Sequence, residues 1–203
     1  MKKLLNKKNL VSIMIAVVIY GLITYLVSSG MLSRHYQSLL VPVGVNIILA
    51  VSLNLTVGFL GELTLGHAGF MSVGAYVGCI FTVNMNLPVY IEFPIAVLLG
   101  GLVAALFGVI IGVPALRLKG DYLAIVTLAF GEIIRSVFTN LTITGGAGGL
   151  KGIDKTTDYT IVFIAAVITI VFISNLVHSR HGRAICSIRD NIIASESVGI
   201  NVV

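Results

Sequence analysis

Residues 159–177 read YTIVFIAAVITIVFISNLV, and residues 178–201, directly after them, read HSRHGRAICSIRDNIIASESVGIN. The first stretch is an unbroken apolar run close to the roughly 20 residues that an α-helix needs to cross a bilayer. The second carries Arg180, Arg183, Arg189, Asp190 and Glu196. An apolar span that opens into a charged, amphipathic segment presents something to a soluble partner.

The rest of the chain has the same character. Of its 203 residues, 57% are hydrophobic and 10% charged, and the mean hydropathy is +1.06. A soluble domain carries about 25% charged residues, so this chain lacks the charge to cover a water-facing surface. The sequence predicts an all-α, polytopic transmembrane bundle forming a single domain over residues 1–203. Six spans are expected: Asn9–Ser28, Ser38–Val57, His67–Val83, Pro94–Val113, Tyr122–Phe138 and Tyr159–Val177. Pro94 suits the first turn of its helix, where its missing N–H costs nothing. Period-2 alternation is absent, which argues against a membrane β-barrel.

The start, MKKLLNKKNL and the apolar run behind it, resembles a signal peptide. The run is too long for an ordinary h-region and lacks an A-x-A-like site, so it reads as a retained first span. The net charge of +5 does not point to nucleic acid, because the basic residues sit in short loops. Nine fall on one side if all six spans cross: Lys2, Lys3, Lys7, Lys8, Arg117, Lys119, Arg180, Arg183 and Arg189. Four fall on the other: Arg34, Arg135, Lys151 and Lys155. The positive-inside bias then puts the N-terminus and residues 178–201 in the cytoplasm. Cys79 and Cys186 imply no disulfide framework.

Small residues mark close helix packing. Gly100, Ala104, Gly108 and Gly112 recur every fourth residue in the fourth span, as Gly74 and Gly78 do in the third. Such spacing lets helix backbones approach in lipid. Asn46, Ala50 and Asn54 share one face of the second span. That span runs into GFLGELTLGHAGF, rich in glycine. Non-helical backbone at membrane depth survives only against protein or a water-filled cavity. Two readings stand side by side: a translocation-path lining that includes Asn46, Asn54, Glu62, Thr64 and His67, or a tight cytoplasmic turn with capping polar residues. His67 has no second His or Cys at ligand spacing, so no metal site is expected.

Glu132 and Arg135 stand at i, i+3 in the fifth span and can pair on one face. Ionisable residues at membrane depth by default mark function, which makes both path candidates. The competing reading is a self-neutralising pair facing a helix neighbour, or a pair at the outer end of a short span. The loop TGGAGGLKGI, residues 144–153, fails as a phosphate loop, because Leu150 rather than Gly precedes Lys151. It reads as a flexible connection. No nucleotide site or nucleophile–base spacing is present, so no catalytic residue, and no enzyme, is expected.

From Ile185 the terminal segment reads as one amphipathic helix, with Ile185, Ile188, Ile192 and Gly199 near one face. Gly199 is placed to end it. The mixed signs of Arg189, Asp190 and Glu196 fit a protein groove better than an anionic lipid surface.

The stretch SRHGRAICSIRDNIIASESVGINV resembles the cytoplasmic coupling segment of permease subunits of branched-chain amino acid ABC transporters, whose usual form is close to GRA-x-x-AIRDNEIAAEAMGIN. NLTVGFLGELTLGHAGFMSVGAY, LRLKGDYLAIVTLAFGEIIR and TGGAGGLKGI agree with the same family, in family order, over most of residues 51–203. Of the two permease types the chain is more similar to the LivM-like one. The resemblance implies a bacterial-type inner-membrane importer of hydrophobic amino acids working by alternating access. Its implied partners are two ATPase subunits, a second related permease subunit, an extracytoplasmic binding protein and the lipid bilayer. ATP and magnesium are expected in the ATPases and no cofactor in this chain. The coupling role is carried onto Arg183, Arg189, Asp190, Glu196 and Gly199.

Two departures from the family pattern stand out. Ile192 occupies a common Glu position, and Ser187, Ser195 and Ser197 replace alanines. Family members continue past the coupling segment through further spans, so the chain is expected to be a C-terminally truncated piece. The alternatives are a urea or short-amide permease of the same family and an ion-coupled secondary transporter using Glu132.

Overall fold

A computed structural model of the chain describes residues 7–85, 88–115, 118, 120–153 and 157–200. Of the basic residues that set the expected topology, Lys2, Lys3, Arg117, Lys119 and Lys155 lie outside the described residues. The described elements are helical and contain no strand. They run α1 (Lys7–Ser28), α2 (Arg34–Asn54), a π-helical turn (Leu55–Leu60), α3 (His67–Asn84), α4 (Val89–Ala115), α5 (Asp121–Asn140), a 3₁₀ turn (Gly146–Gly148), α6 (Tyr159–Val177), α7 (Arg180–Asp190) and α8 (Ile192–Ser197).

Four of the described helices are long and apolar enough to cross a membrane: Arg34–Leu60, Val89–Ala115, Asp121–Asn140 and Tyr159–Val177. The expected first span falls in α1, a helix of 22 residues, and the third in α3. The described apolar part of α1 is Met14–Ser28. α3 has 18 residues and is diluted by His67, Asn84 and three glycines; at 1.5 Å per residue it is about 27 Å long, just under a bilayer core.

α4 starts earlier than the sequence suggests. The N–H groups of Ile91 and Glu92 donate to the Pro88 carbonyl at 2.9 and 3.0 Å, so the helix begins at Val89 and Pro94 lies inside it. Pro94 therefore does not occupy the first turn and removes one interior backbone bond.

The chain divides into two compact units. The first comprises Met1–Ser52 and Thr157–Leu176. In it the Tyr20 hydroxyl lies 3.3 Å from Thr160 Oγ1, and its ring packs on Phe163 with centroids 5.3 Å apart. A Cβ on Gly44 would come within 2.5 Å of Val162 Cγ1, so the backbone of α2 lies directly on α6 there. An apolar groove of about 530 Å³ runs between α1, α2 and α6. None of the polar path candidates lines it.

The second unit comprises Leu53–Thr156 and Val177–Val203. Its core gathers Val73, Ile111 and Ile134, with Phe70, Val77, Val103, Phe130 and Phe138 packed around them. The Tyr76 and Phe138 rings stack with centroids 4.5 Å apart. α3 and α4 cross at glycine: a Cβ on Gly100 would run into the Gly74 carbonyl oxygen, and one on Gly78 would sit 3.3 Å from that of Ala96. Ala104 Cβ lies 3.7 Å from a Cβ placed on Gly74. Gly108 and Gly112 meet nothing within 4 Å, so the four-residue stripe is occupied over its first half only. The opposite face of α4, with Leu98, Leu102, Leu106 and Val109, is exposed and wholly apolar, as lipid contact requires.

Gly100→Ala is expected to destabilise the purified protein in detergent by about 1–3 kcal/mol, because the clash is with backbone. Gly108→Ala is expected to change stability by less than about 0.5 kcal/mol. Denaturant unfolding followed by circular dichroism separates the two, and equal effects would contradict the assigned crossing.

Candidate functional site

The site begins where α2 stops being an α-helix. Through Leu55–Leu60 the backbone takes the wider π turn, which closes when the Gly61 N–H donates to the Thr56 carbonyl. The Glu62 N–H shares that acceptor at 3.2 Å. Gly61 has φ +82°, a left-handed conformation that favours glycine. Residues 61–66 then run without helix or strand before α3 starts at His67.

This irregular stretch has hydrogen-bond partners supplied by neighbouring elements. Thr127, in the middle of α5 and 7% exposed, accepts the Leu65 N–H on Oγ1 at 3.0 Å. The same hydroxyl donates within α5 to the Leu123 and Ala124 carbonyls. Thr56 Oγ1 donates to the Leu53 carbonyl at 2.9 Å and lies 3.4 Å from Thr64 Oγ1. The backbones approach closely enough for this because glycine lines the crossing. A Cβ on Gly66 would fall 2.7 Å from the Thr127 carbonyl oxygen, and one on Gly69 would fall 2.9 Å from Gly131 Cα.

The second half of the site is the terminal segment. Ser179 caps α7 by accepting the Gly182 N–H at 3.1 Å. The expected single helix from Ile185 is instead two. Asn191 takes an extended conformation, ends α7 by donating its N–H to the Ser187 carbonyl, and caps α8 by accepting the Ala194 N–H on Oδ1 at 3.0 Å. This break disrupts the continuous face assumed for Ile185, Ile188, Ile192 and Gly199. Gly199, at φ +82°, closes α8: its N–H goes to the Glu196 carbonyl and that of Ile200 to the Ser195 carbonyl. That pair of bonds is the Schellman pattern, which glycine permits. The three serines standing for alanines each donate to a backbone carbonyl: Ser187 to Ala184, Ser195 to Asn191 and Ser197 to Ala194.

The two halves meet at Arg189. Its Nη1 donates to the Gly58 carbonyl at 3.0 Å. Its Nε and Nη2 donate to Asp190 Oδ1 at 3.2 and 3.0 Å. A Cβ on Gly61 would sit 2.6 Å from Arg189 Cγ, so the arginine stem crosses the glycine face. α7 therefore rests on the π turn. Arg183 reaches back to the His178 carbonyl at 3.0 Å, and Glu196 is exposed on α8.

The remaining candidates are placed as follows. The Asn54 amide oxygen lies against Gly58, where a Cβ would collide with it. Glu62, Thr64 and His67 are half-buried around the 61–66 stretch. Asn46 is an exposed residue of α2 in the first unit. Glu132 and Arg135 pair at 3.2 Å with side chains 62% and 75% exposed, away from the Thr127 contact face of α5. The glycine loop is a structured turn. Thr144, 1% exposed, donates to the Phe138 carbonyl and, at 2.8 Å, to the Leu141 carbonyl, which ties the loop to the end of α5.

Sequence reading missed Thr127, Gly131, Asn191 and Thr144. A threonine or glycine inside an apolar helix carries little signal unless its crossing partner is known. The N-cap preference of asparagine was a usable signal for Asn191.

Long apolar helices, an irregular link between two of them, and an amphipathic helix pair fastened to that link define a multi-pass helical membrane protein. The chain belongs to the family described as branched-chain amino acid transport system / permease component, whose profile matches residues 35–203. It is 34% identical over 206 aligned positions to the high-affinity branched-chain amino acid transport system permease protein LivM of Escherichia coli (strain K12), an alignment covering 84% of this chain and 48% of that protein. LivM of Salmonella typhimurium (strain LT2) is 33% identical over the same shares. The chain thus spans about half the length of the curated relatives it matches. No solved structure matches it.

Replacing Thr127 by Val would leave the Leu65 N–H without its acceptor, at an expected cost of about 1–3 kcal/mol. Thr127→Ser keeps the oxygen and should behave as wild type. Hydrogen–deuterium exchange at Leu65 reads the difference: faster exchange in the Val variant alone is expected, and equal exchange in all three would remove Thr127 from this role.

Proposed function

We propose that the chain forms part of a permease subunit of an ATP-binding-cassette importer for branched-chain amino acids. The observation that carries this reading is the family match over residues 35–203, which takes in both the irregular 61–66 link and the α7–α8 pair. The named relatives are branched-chain amino acid permeases, which favours these substrates over urea or short amides. Glu132 is already ion-paired with Arg135, and the family match does not favour an ion-coupled carrier.

In this reading the chain is a transport subunit, not an enzyme. ATP and magnesium belong to two partner ATPases, which dock on α7 and α8 from the cytoplasm. A second related permease subunit and an extracytoplasmic binding protein complete the assembly in the bacterial inner membrane, with the N-terminus cytoplasmic. Arg183, Asp190, Glu196 and Gly199 shape the docking element. In this reading Asn54, Glu62, Thr64 and His67, at the irregular backbone that a substrate route tolerates, are the path candidates of the second unit, and Asn46 is a separate one on α2 in the first. The exposed Glu132–Arg135 pair belongs on that route or against a partner, because an ion pair is costly facing lipid.

In cells carrying the full transporter, uptake of labelled leucine is expected to be displaced by isoleucine and valine and not by urea; displacement by urea alone would reassign the substrate. Ile193, 80% exposed on α8, is the position expected to crosslink to an ATPase subunit as Ile193→Cys, whereas Ser195→Cys, 3% exposed, is not. Failure at position 193 in an assembled complex would count against docking at α8.

A further inference from the structure

The contact between α7 and the π turn joins two features that the sequence presents separately. π-helical turns are rare, well under 1% of residues. They occur mostly as single turns within α-helices, frequently at functional sites. Here the turn has a clamp. Arg189 Nη1 takes the Gly58 carbonyl at 3.0 Å, inside the turn. Its stem crosses Gly61, whose φ of +82° sets the chain leaving the turn. Asp190 Oδ1 holds Nε and Nη2 from the other side. The guanidinium thus spans α7 and the turn, and three N–H groups in a planar fork do what an ammonium point charge cannot.

The clamp also stands at a mechanical boundary. α7 ends at Asp190, Asn191 is extended, and α8 begins at Ile192 with Ile193 and Val198 turned outward, 80% and 75% exposed. The outward side of this pair offers α8, and the inward side offers Arg189.

We propose that Arg189 is a positioning residue of the transport cycle: it holds the Leu55–Leu60 turn in its π register and passes movement of α7 and α8 to the 61–66 link through the Gly58 carbonyl. A change of one residue in helical register re-aims the downstream chain by roughly 100°. Loss or shift of this single bond therefore redirects the segment carrying Glu62, Thr64 and His67. The proposal rests on the permease reading and deepens it. Within the coupling segment, it separates Arg189, which faces its own chain, from the residues that face the ATPase.

The test uses the full transporter with its partners, reconstituted in liposomes, with Arg189→Lys and Gly61→Ala. Lysine keeps the charge and loses the fork; alanine at position 61 displaces the arginine stem. The expected result for each is that ATPase subunits copurify as in wild type and ATP hydrolysis stays within about twofold. Leucine moved per ATP falls by roughly tenfold or more, with KM unchanged. Hydrogen–deuterium exchange across residues 55–62 rises in the same variants, which a contact made only to the ATPase would not produce. Loss of ATPase copurification in Arg189→Lys would make Arg189 a docking contact and overturn the proposal, as would an unchanged ratio of leucine to ATP. Should the wild type move no leucine, the permease reading falls. The exchange measurement still decides the clamp, since unchanged exchange across 55–62 in both variants would dismiss it.

Discussion

Backbone hydrogen bonding is the constraint on which this architecture turns. A bilayer supplies no donors or acceptors, so a chain that leaves the helix between apolar segments must bring its own partners. Between Leu55 and His67 the protein does so with groups of the π turn itself, of α5 and of α7. Thr56 closes the π turn and accepts from Glu62. Thr127 accepts from Leu65. Arg189 donates to Gly58. The π turn and the link that follows it are thus held together by Thr56 and tied to α5 and α7, which makes them a junction rather than a simple connection.

Small residues make these bonds geometrically possible. Thr127 reaches Leu65 because Gly66 and Gly69 let α3 settle on α5 at Gly131. Arg189 reaches Gly58 because Gly61 has no side chain in its way. In lipid there is little hydrophobic drive between helices, and close backbone approach supplies contact instead. The glycines in and after the second span thus serve the polar contacts as well as the packing. The apolar outward face of α4 carries no such demand and has the ordinary pattern of a lipid-facing helix.

The all-α membrane fold was legible because composition and long apolar runs leave few alternatives. The start of α6 at Tyr159 and of α3 at His67 agreed with the sequence, since each comes after polar or glycine-rich residues. Pro94 misled, because the preference for proline in a first turn competes with the earlier start that the Pro88 carbonyl provides. α7 and α8 were read as one helix because isoleucine spacing outweighed Asn191, whose side chain caps the second helix. The loop at residues 144–153 looked flexible from its glycines; buried Thr144 gives it a fixed anchor. Long-range pairs such as Thr127 with Leu65 or Arg189 with Gly58 have sequence separations of 62 and 131, and no local pattern encodes them.

The family match takes in both the α7–α8 pair and the 61–66 link, and the structure fastens one to the other through Arg189. A Cβ on Gly61 would lie 3.4 Å from Arg189 Cβ, within reach of a disulfide. The most direct measurement is therefore oxidation of a Gly61→Cys, Arg189→Cys pair in a background with Cys79 and Cys186 replaced by serine and a protease site inserted in the 144–153 loop. The account predicts that the two fragments stay joined after cleavage and separate on adding reductant, with neither single-cysteine control joined. Fragments that separate without reductant, in protein that folds and inserts, would contradict it.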